Sequence, residues 1–477
     1  MAKRTKIVCT LGPATDNLAV LERLLRAGCD VVRVNFSHGT ADDHRRRVEM
    51  IREASRRVGK DVGVLGDLQG PKIRTGKFRN RKVELTEGDV FALDASLGDD
   101  DGDETAVGVT YKELPGDVRE NDVLLLNDGL IVLRVRDVQG PRVNCVVEIG
   151  GTLSNNKGIN RQGGGLSARA LTEKDQADLR TAAELEVDFL AVSFPRDGED
   201  MAMARKLARE AGSGALLVAK VERAEAVRHI EEVVEASDVI MVARGDLGVE
   251  IGFAEVPGVQ KRIIRVCRDM NRVVITATQM MESMITEPVP TRAEVSDVAN
   301  AVIDGTDAVM LSGETAVGKY PVRVVEAMAS ACVSAEKERV SMHSRHRMDD
   351  YFLHIDEAIA MATMYTANHL DVKAIVALTE SGSTALWMSR IRSGIPIYAF
   401  SRKETTRRRV ALYRGVYPIP FDVVHDGGAG GFEAVCRTLL DRSLAAADDQ
   451  IIFTEGTHAG VEGGTNTMRI LTVDAFG

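Results

Sequence analysis

Short apolar runs alternate with amphipathic stretches from the first residues onward. Residues 6–11 form a strand pattern, and 17–27 carry helical apolar spacing, with Asp16 in the N-cap position and Gly28 as the stop. Strand patterns at 30–36 and 61–67 flank a helical stretch at 42–58. Three strands with helices between them imply a parallel sheet.

Between about residues 74 and 165 the helical period gives way to alternating runs at 82–85, 89–93, 123–126, 130–135 and 143–149, separated by Gly and Asp turns. This predicts an all-β insertion. Its last part, 150–160 followed by Gly163, Gly164 and Gly165, reads as a Gly- and Asn-rich loop, either a hinge or a phosphate contact. A capping signal at 172–175 restarts the alternation, with strands at 187–194, 215–222, 238–243, 272–277 and 306–311 and a helix at 322–338. Three strands before the insertion and five after it make eight, the number that closes a (β/α)8 barrel rather than an open sheet. Beyond a polar linker at 344–350 comes a smaller open α/β domain: helix 357–370, strand 374–378, a turn at 379–384 opening a helix, strand 397–400, and terminal strands near 450–453 and 468–473. The division is 1–73 with 169–342 for the barrel, 74–168 for the insertion and 343–477 for the C-terminal domain.

Composition narrows the function classes. A length of 477 residues suits about three domains. A net charge of −10 argues against a nucleic-acid partner, because binding a phosphate backbone needs a basic surface. No apolar run approaches the roughly 20 residues that span a bilayer, and the N-terminus runs straight into a strand, so no membrane association and a cytoplasmic location are expected. Six scattered cysteines without a CxxC pair are the usage of a reducing compartment.

The candidate chemistry sits where the apolar runs end in charge. Segments 215–222 and 238–246 end at Lys220, Glu222 and Asp246, at the carboxyl-end rim of a parallel barrel, where ligands bind. Arg33, Asn35, Asp67, Lys72, Arg74, Thr278, Ser312 and Glu314 fall at or just beyond other strand ends. Glu222 and Asp246 are either hard oxygen ligands for magnesium or manganese, or ion-pair partners of Lys220 or Arg244. Lys220 lies two residues before Glu222 and so shares its face of the strand, where an ammonium stabilises a transferring phosphoryl group or an enolate oxygen. The turn 244–248 can offer backbone N–H groups to an anion.

Eight motifs in order then resemble the pyruvate kinase family: TLGPAT (10–15), RVNFSHG (33–39), GDLQGPKIR (66–74), LVAKVE (217–222), MVARGDLGVE (241–250), ATQMMESM (277–284), PTRAE (290–294) and MLSGET (310–315). The resemblance implies a TIM barrel with a β lid and a regulatory C-terminal domain, and phosphoryl transfer from phosphoenolpyruvate to ADP, giving pyruvate and ATP. It implies Mg2+ or Mn2+ on Glu222 and Asp246, and Lys220 as the cation on the phosphoryl and enolate charge. Thr278 would serve in enolate protonation through water, Arg33 and Lys220 would hold the substrate phosphate, and the backbone of Gly245 and Asp246 its carboxylate. Pro13, Asn35, His38, Arg74 and Lys157 would contact nucleotide, with Lys157 brought in by lid closure. Many members place glutamate at the position of Lys72 and hold potassium with residues matching Asn35, Ser37 and Asp67. Here the lysine substitutes for the ion, so activity without potassium is expected. The Thr379, Ser381, Gly382, Ser383, Thr384 turn resembles a phosphate cradle, and Glu380, where fructose-bisphosphate-responsive members often have lysine, points to a sugar monophosphate or AMP as effector. The family also suggests a homotetramer. The rivals are a magnesium-dependent lyase or aldolase acting on pyruvate-like enolates and a catalytically silent metabolite sensor.

Overall fold

The computed structural model describes residues 3–342, 351–422, 429–457 and 463–473, so the linker read at 344–350 lies outside it. Among the described residues, eight parallel strands close a barrel: Lys6–Thr10, Val31–Asn35, Gly63–Asp67, Phe189–Val192, Leu216–Val221, Val239–Ala243, Val273–Ala277 and Ala308–Leu311. The runs are apolar on both faces because both are covered. Ile7, Val32, Val64 and Leu190 pack outward against helices, while Val8, Leu65, Phe189, Met241 and Ile275 fill the interior. The interior cluster continues into the C-terminal domain through Met364, Ile375, Val410 and Leu412, so that domain is docked on the barrel's amino-terminal base.

The base is tied by a repeated device. Asp30, Asp188, Asp238 and Asp307 each immediately precede an even-numbered barrel strand, and each carboxylate accepts the N–H of a residue in the odd-numbered strand before it. The donors are Ile7, Val64, Leu217 and Val274, at 2.9, 2.8, 2.8 and 2.9 Å. Each carboxylate also faces a cation: Lys3 at 2.6 Å, Arg408 at 2.8 Å, Arg205 at 3.0 Å, and Arg390, whose Nη1 lies 2.9 Å from Asp307. Two of these cations, Arg390 and Arg408, come from the C-terminal domain, so the device also fastens that domain to the barrel.

The insertion forms a six-stranded and a two-stranded sheet. Among the described residues the C-terminal domain carries a five-stranded sheet, with Thr465–Thr472 as its antiparallel edge. No described helix is long and apolar enough to cross a membrane.

Local departures from the sequence reading have local causes. The N-cap of the first long helix, Leu18–Ala27, is Asn17, whose Oδ1 accepts from Ala19 and Val20. Asp16 instead binds Arg47 at 2.7 Å. The stretch 150–160 is not all loop: Gly151–Ser154 pairs with Lys82–Leu85, and Ile159–Arg161 with Val123–Leu126. These strands are short edge pieces too polar to show a period. The turn expected at 244–248 is the start of a helix, Arg244–Ile251. Ala106–Gly108, Glu404–Val410 and Val416–Pro420 went unread, each too short or too charged to stand out.

Candidate active site

The carboxyl ends of the strands open into a cleft of about 410 Å³ between the barrel rim and the lid, lined by Lys220, Glu222 and Asp246 on one side and by Lys72, Arg74 and Lys157 on the other. Strand alternation puts Lys220 and Glu222 on one face, and the end of Leu216–Val221 delivers them to the rim. Lys220 Nζ lies 2.9 Å from Glu222 Oε1 and 3.4 Å from Asp67 Oδ1, and donates to Ser193 Oγ at 2.8 Å. Asp67 also takes Arg33 Nε at 2.6 Å, and Arg33 Nη1 reaches Thr10 Oγ1 at 3.1 Å. Phe194 N–H donates to Glu222 Oε2 at 2.8 Å.

The electrostatics of this network are uneven. Burial pushes the Glu222 carboxyl up to about 7; Lys220 opposes the rise, and Asp246 and Asp67 add to it. Burial also raises Asp246, again against Lys220 and with help from Asp128. For Asp67 burial pushes the same way, but Arg33 and Lys220 outweigh it and hold this carboxyl below its usual range. Lys220 is desolvated, yet Asp67 and Glu222 keep it above the ordinary lysine value. One carboxylate is thus saturated with cations, while its two neighbours are short of positive charge.

That deficit is what a divalent cation would relieve. Among the described residues no group of three or more His, Cys, Asp and Glu side chains converges as a closed metal cage. Two carboxylates leave the remaining positions of an oxygen-seeking ion to water and substrate, the arrangement magnesium and manganese take.

Thr278 is brought to the same rim by its backbone. It is β-branched yet sits at φ 66, a conformation costing about 1–3 kcal/mol. Arg244 Nη2 holds its carbonyl at 2.7 Å. The Thr278 hydroxyl donates to Ala277 O at 2.6 Å and accepts from Gly245 N–H at 2.8 Å. Its proton is therefore engaged, and its oxygen is the acceptor that satisfies the Gly245 N–H.

On the lid side, Thr75 N–H donates to Lys157 O at 2.8 Å and Lys157 N–H donates to Thr75 Oγ1 at 3.0 Å, which sets Lys157 beside Arg74 over the cleft. Lys72 is exposed at the cleft edge and makes no ion pair among the described residues. Partial burial, then Arg74 and Lys174, lower its pKa. Ser37 lines the cleft too, while Asn35 Oδ1 accepts the Ser37 N–H at 3.0 Å. Pro13 and His38 are exposed and stand outside the cleft lining.

The 379–384 turn lies apart, in the C-terminal domain. Gly382 N–H donates to Thr379 Oγ1 at 2.8 Å, Ser381 and Ser383 hydroxyls meet at 3.2 Å, and Thr384 meets Thr465 at 2.6 Å. Gly382 is required there, because at φ +89 an added Cβ would come 2.7 Å from Val410 Cγ1.

Ser193, Phe194, Asn127 and Asp128 also line the cleft, and none of them stands out in the sequence. The first two ended an apolar run. Asn127, Asp128 and Gly129 looked like an ordinary turn between strands, and indeed all three have positive φ.

A rim that presents an ammonium and two cation-hungry carboxylates beneath the inserted β domain is the active-site end of a (β/α)8 barrel enzyme suited to anionic substrates. Comparison with known proteins makes the class particular. The barrel-domain model of pyruvate kinase matches residues 2–325, and the model of its alpha/beta domain matches 357–471. The chain is 58% identical to pyruvate kinase II of Salmonella typhimurium over 99% of both chains. It is 54% identical to the pyruvate kinase of Haemophilus influenzae over 99% of both, and 42% identical to that of Corynebacterium efficiens over 98% of both. The chain belongs to the pyruvate kinase family, enzymes that convert phosphoenolpyruvate and ADP to pyruvate and ATP and generally use Mg2+.

Proposed function

We propose that Lys220, Glu222, Asp246, Arg33 and Thr278 carry the family reaction in this chain, with the nucleotide held by Pro13, Asn35, His38, Arg74 and Lys157. The observation that carries this reading is the placement of Lys220 Nζ, 2.9 Å from one carboxylate and 3.4 Å from another, in a cleft shared with Lys157. Glu222 and Asp246 would hold a divalent cation, which would supply positive charge for the phosphoryl and enolate oxygens. Lys220 offers its ammonium to the same oxygens, and Arg33, anchored by Asp67, orients the phosphate. The backbone of Gly245 and Asp246 receives the substrate carboxylate. Thr278, its own proton engaged, orders the water that protonates the enolate carbon. Lys157 and the lid exclude bulk water, which would otherwise accept the phosphoryl group. The units are 1–73 with 169–342, 74–168 and 343–477.

Lys72 replaces the monovalent cation, standing at the cleft edge with Ser37 and close enough to Arg74 and Lys174 to feel their charge. The effector is a sugar monophosphate or AMP, bound by Thr379, Ser381, Gly382, Ser383 and Thr384. Glu380 lies 3.1 Å from Arg402 and 3.3 Å from Lys403, so it neutralises the cations a second phosphate would need. A homotetramer would let one effector bias several sites. The family reaction is one of glycolysis, and we place this chain with it in the cytoplasm.

The test is a coupled assay on phosphoenolpyruvate, ADP and Mg2+ with wild type and Lys220→Met. Equal amounts of pyruvate and ATP from the wild type, and neither from a folded Lys220→Met, are expected. Pyruvate with free phosphate in place of ATP would mean transfer to water, and no turnover by the folded wild type would point to the lyase or aldolase instead.

A further inference from the structure

Three partners surround the Lys220 ammonium, and two of them are carboxylates, Glu222 and Asp67. The third, Ser193, is its neutral partner. A carboxylate holds an ammonium but cancels the charge that phosphoryl transfer needs, whereas a hydroxyl oxygen fixes the amine and leaves that charge available.

The structure holds Ser193 for this task from several directions. The residue is buried, at 2% exposure, directly after the barrel strand Phe189–Val192. The hydroxyl donates to Leu68 O at 2.7 Å, so its proton is engaged and a lone pair faces Lys220 Nζ at 2.8 Å. Leu68 N–H in turn donates to Ala191 O at 3.0 Å, which locks the ends of the two strands together. Gly70 makes room: at φ +69, an added Cβ would lie 2.8 Å from Ser193 Cβ. The next residue, Phe194, takes φ 56 and aims its N–H at Glu222 Oε2. A two-residue turn therefore grips the lysine with a hydroxyl and the neighbouring carboxylate with an amide.

We propose that Ser193 is a positioning residue for phosphoryl transfer, fixing Lys220 Nζ over the cleft through a neutral hydrogen bond. The inference rests on the role proposed above for Lys220. It concerns the rate of the chemical step, since Ser193 acts through the lysine.

The experiment compares wild type, Lys220→Met, Ser193→Ala, Ser193→Cys and Ser193→Thr in the coupled assay, with thermal melts on each. Ser193→Ala is expected to lose about 10- to 100-fold in kcat, with KM for phosphoenolpyruvate and ADP within about threefold and an unchanged Tm. Ser193→Cys keeps the volume but offers a poor acceptor, and should show the same low kcat even if the alanine variant is unstable. Ser193→Thr, which keeps the hydroxyl, should recover most of the rate. Folded Ser193→Ala or Ser193→Cys at wild-type kcat would overturn the proposal, as would a raised KM at unchanged kcat, which would make Ser193 a substrate contact. An inactive wild type would overturn the activity assignment, and an active Lys220→Met the lysine's role. Each of these results is distinguishable from the Ser193 outcome.

Discussion

At the base of the barrel Asp30, Asp188, Asp238 and Asp307 each accept a strand N–H and face a basic side chain, whereas at the rim Glu222 and Asp246 crowd together with Lys220 as their cation. Both ends are built from carboxylates and cations, largely buried except at the half-buried Asp238–Arg205 pair of the base. At the base each of these four carboxylates has a strand N–H and a basic side chain, and the Asp30 carboxyl shows the consequence: burial pushes it up, but Lys3, Lys60 and Lys6 outweigh burial and hold it far below its usual range. At the rim the same burial wins, and Glu222 rises to about 7. A saturated carboxylate ties one strand to another; one left short of positive charge is what a cation would stabilise.

The contrast can be broken most forcefully at Lys220. Lys220→Met should cost about 10³-fold or more in kcat with the melting temperature preserved. A folded variant with substantial turnover would place the chemistry elsewhere. At the base, Asp307→Ala leaves Arg390 buried without its carboxylate and removes the acceptor for Val274 N–H, so urea unfolding should show a loss of about 3–5 kcal/mol. A change within experimental error would mean that the base pairs are ornamental.

A gentler probe is pH. Between the ordinary 4.5 and about 7, the folded metal-free protein holds a proton on Glu222 that the unfolded chain has released. Rising pH through that window therefore removes stability, and a bound cation must expel the proton. Mn2+ titration should show affinity weakening about tenfold per pH unit below about 7. For Asp30 the sign is opposite: its stabilisation is present above the unfolded value and is lost only as acid titrates the folded carboxyl. A pH-independent Mn2+ affinity from pH 5 to pH 7 would contradict the rim account. The smallest expected effect is that of potassium. Replacing it with sodium or tetramethylammonium should leave turnover within about twofold, and a large fall would show that Lys72 does not supply the missing charge.

What the sequence made legible follows the same division. The barrel strands were readable because both of their faces are buried and their apolar runs stand out, as at 238–243 and 272–277. Lys220, Glu222 and Asp246 were readable because charge interrupts such a run at its end. Ser193 was not, because a small hydroxyl beside phenylalanine does not break an apolar pattern, and its value comes from Leu68 and Lys220, 125 and 27 residues away. The base aspartates were visible as letters before strands, but their pairing with Arg390 and Arg408 depends on a domain that docks only in three dimensions. Gly151–Ser154 and Ile159–Arg161 escaped because short edge strands carry too few residues to show a period.

The most direct measurement sets one carboxylate from each end side by side: kcat and urea midpoint for Glu222→Gln and Asp307→Asn. Glu222→Gln is expected to lose at least about 100-fold in kcat while its midpoint stays level or rises, since it removes a carboxyl that is costly to ionise. Asp307→Asn is expected to lower the midpoint clearly while its folded fraction turns over within a few-fold of wild type. The reverse pattern, an active Glu222→Gln or a stable and inactive Asp307→Asn, would contradict the assignment of chemistry to the rim and stability to the base.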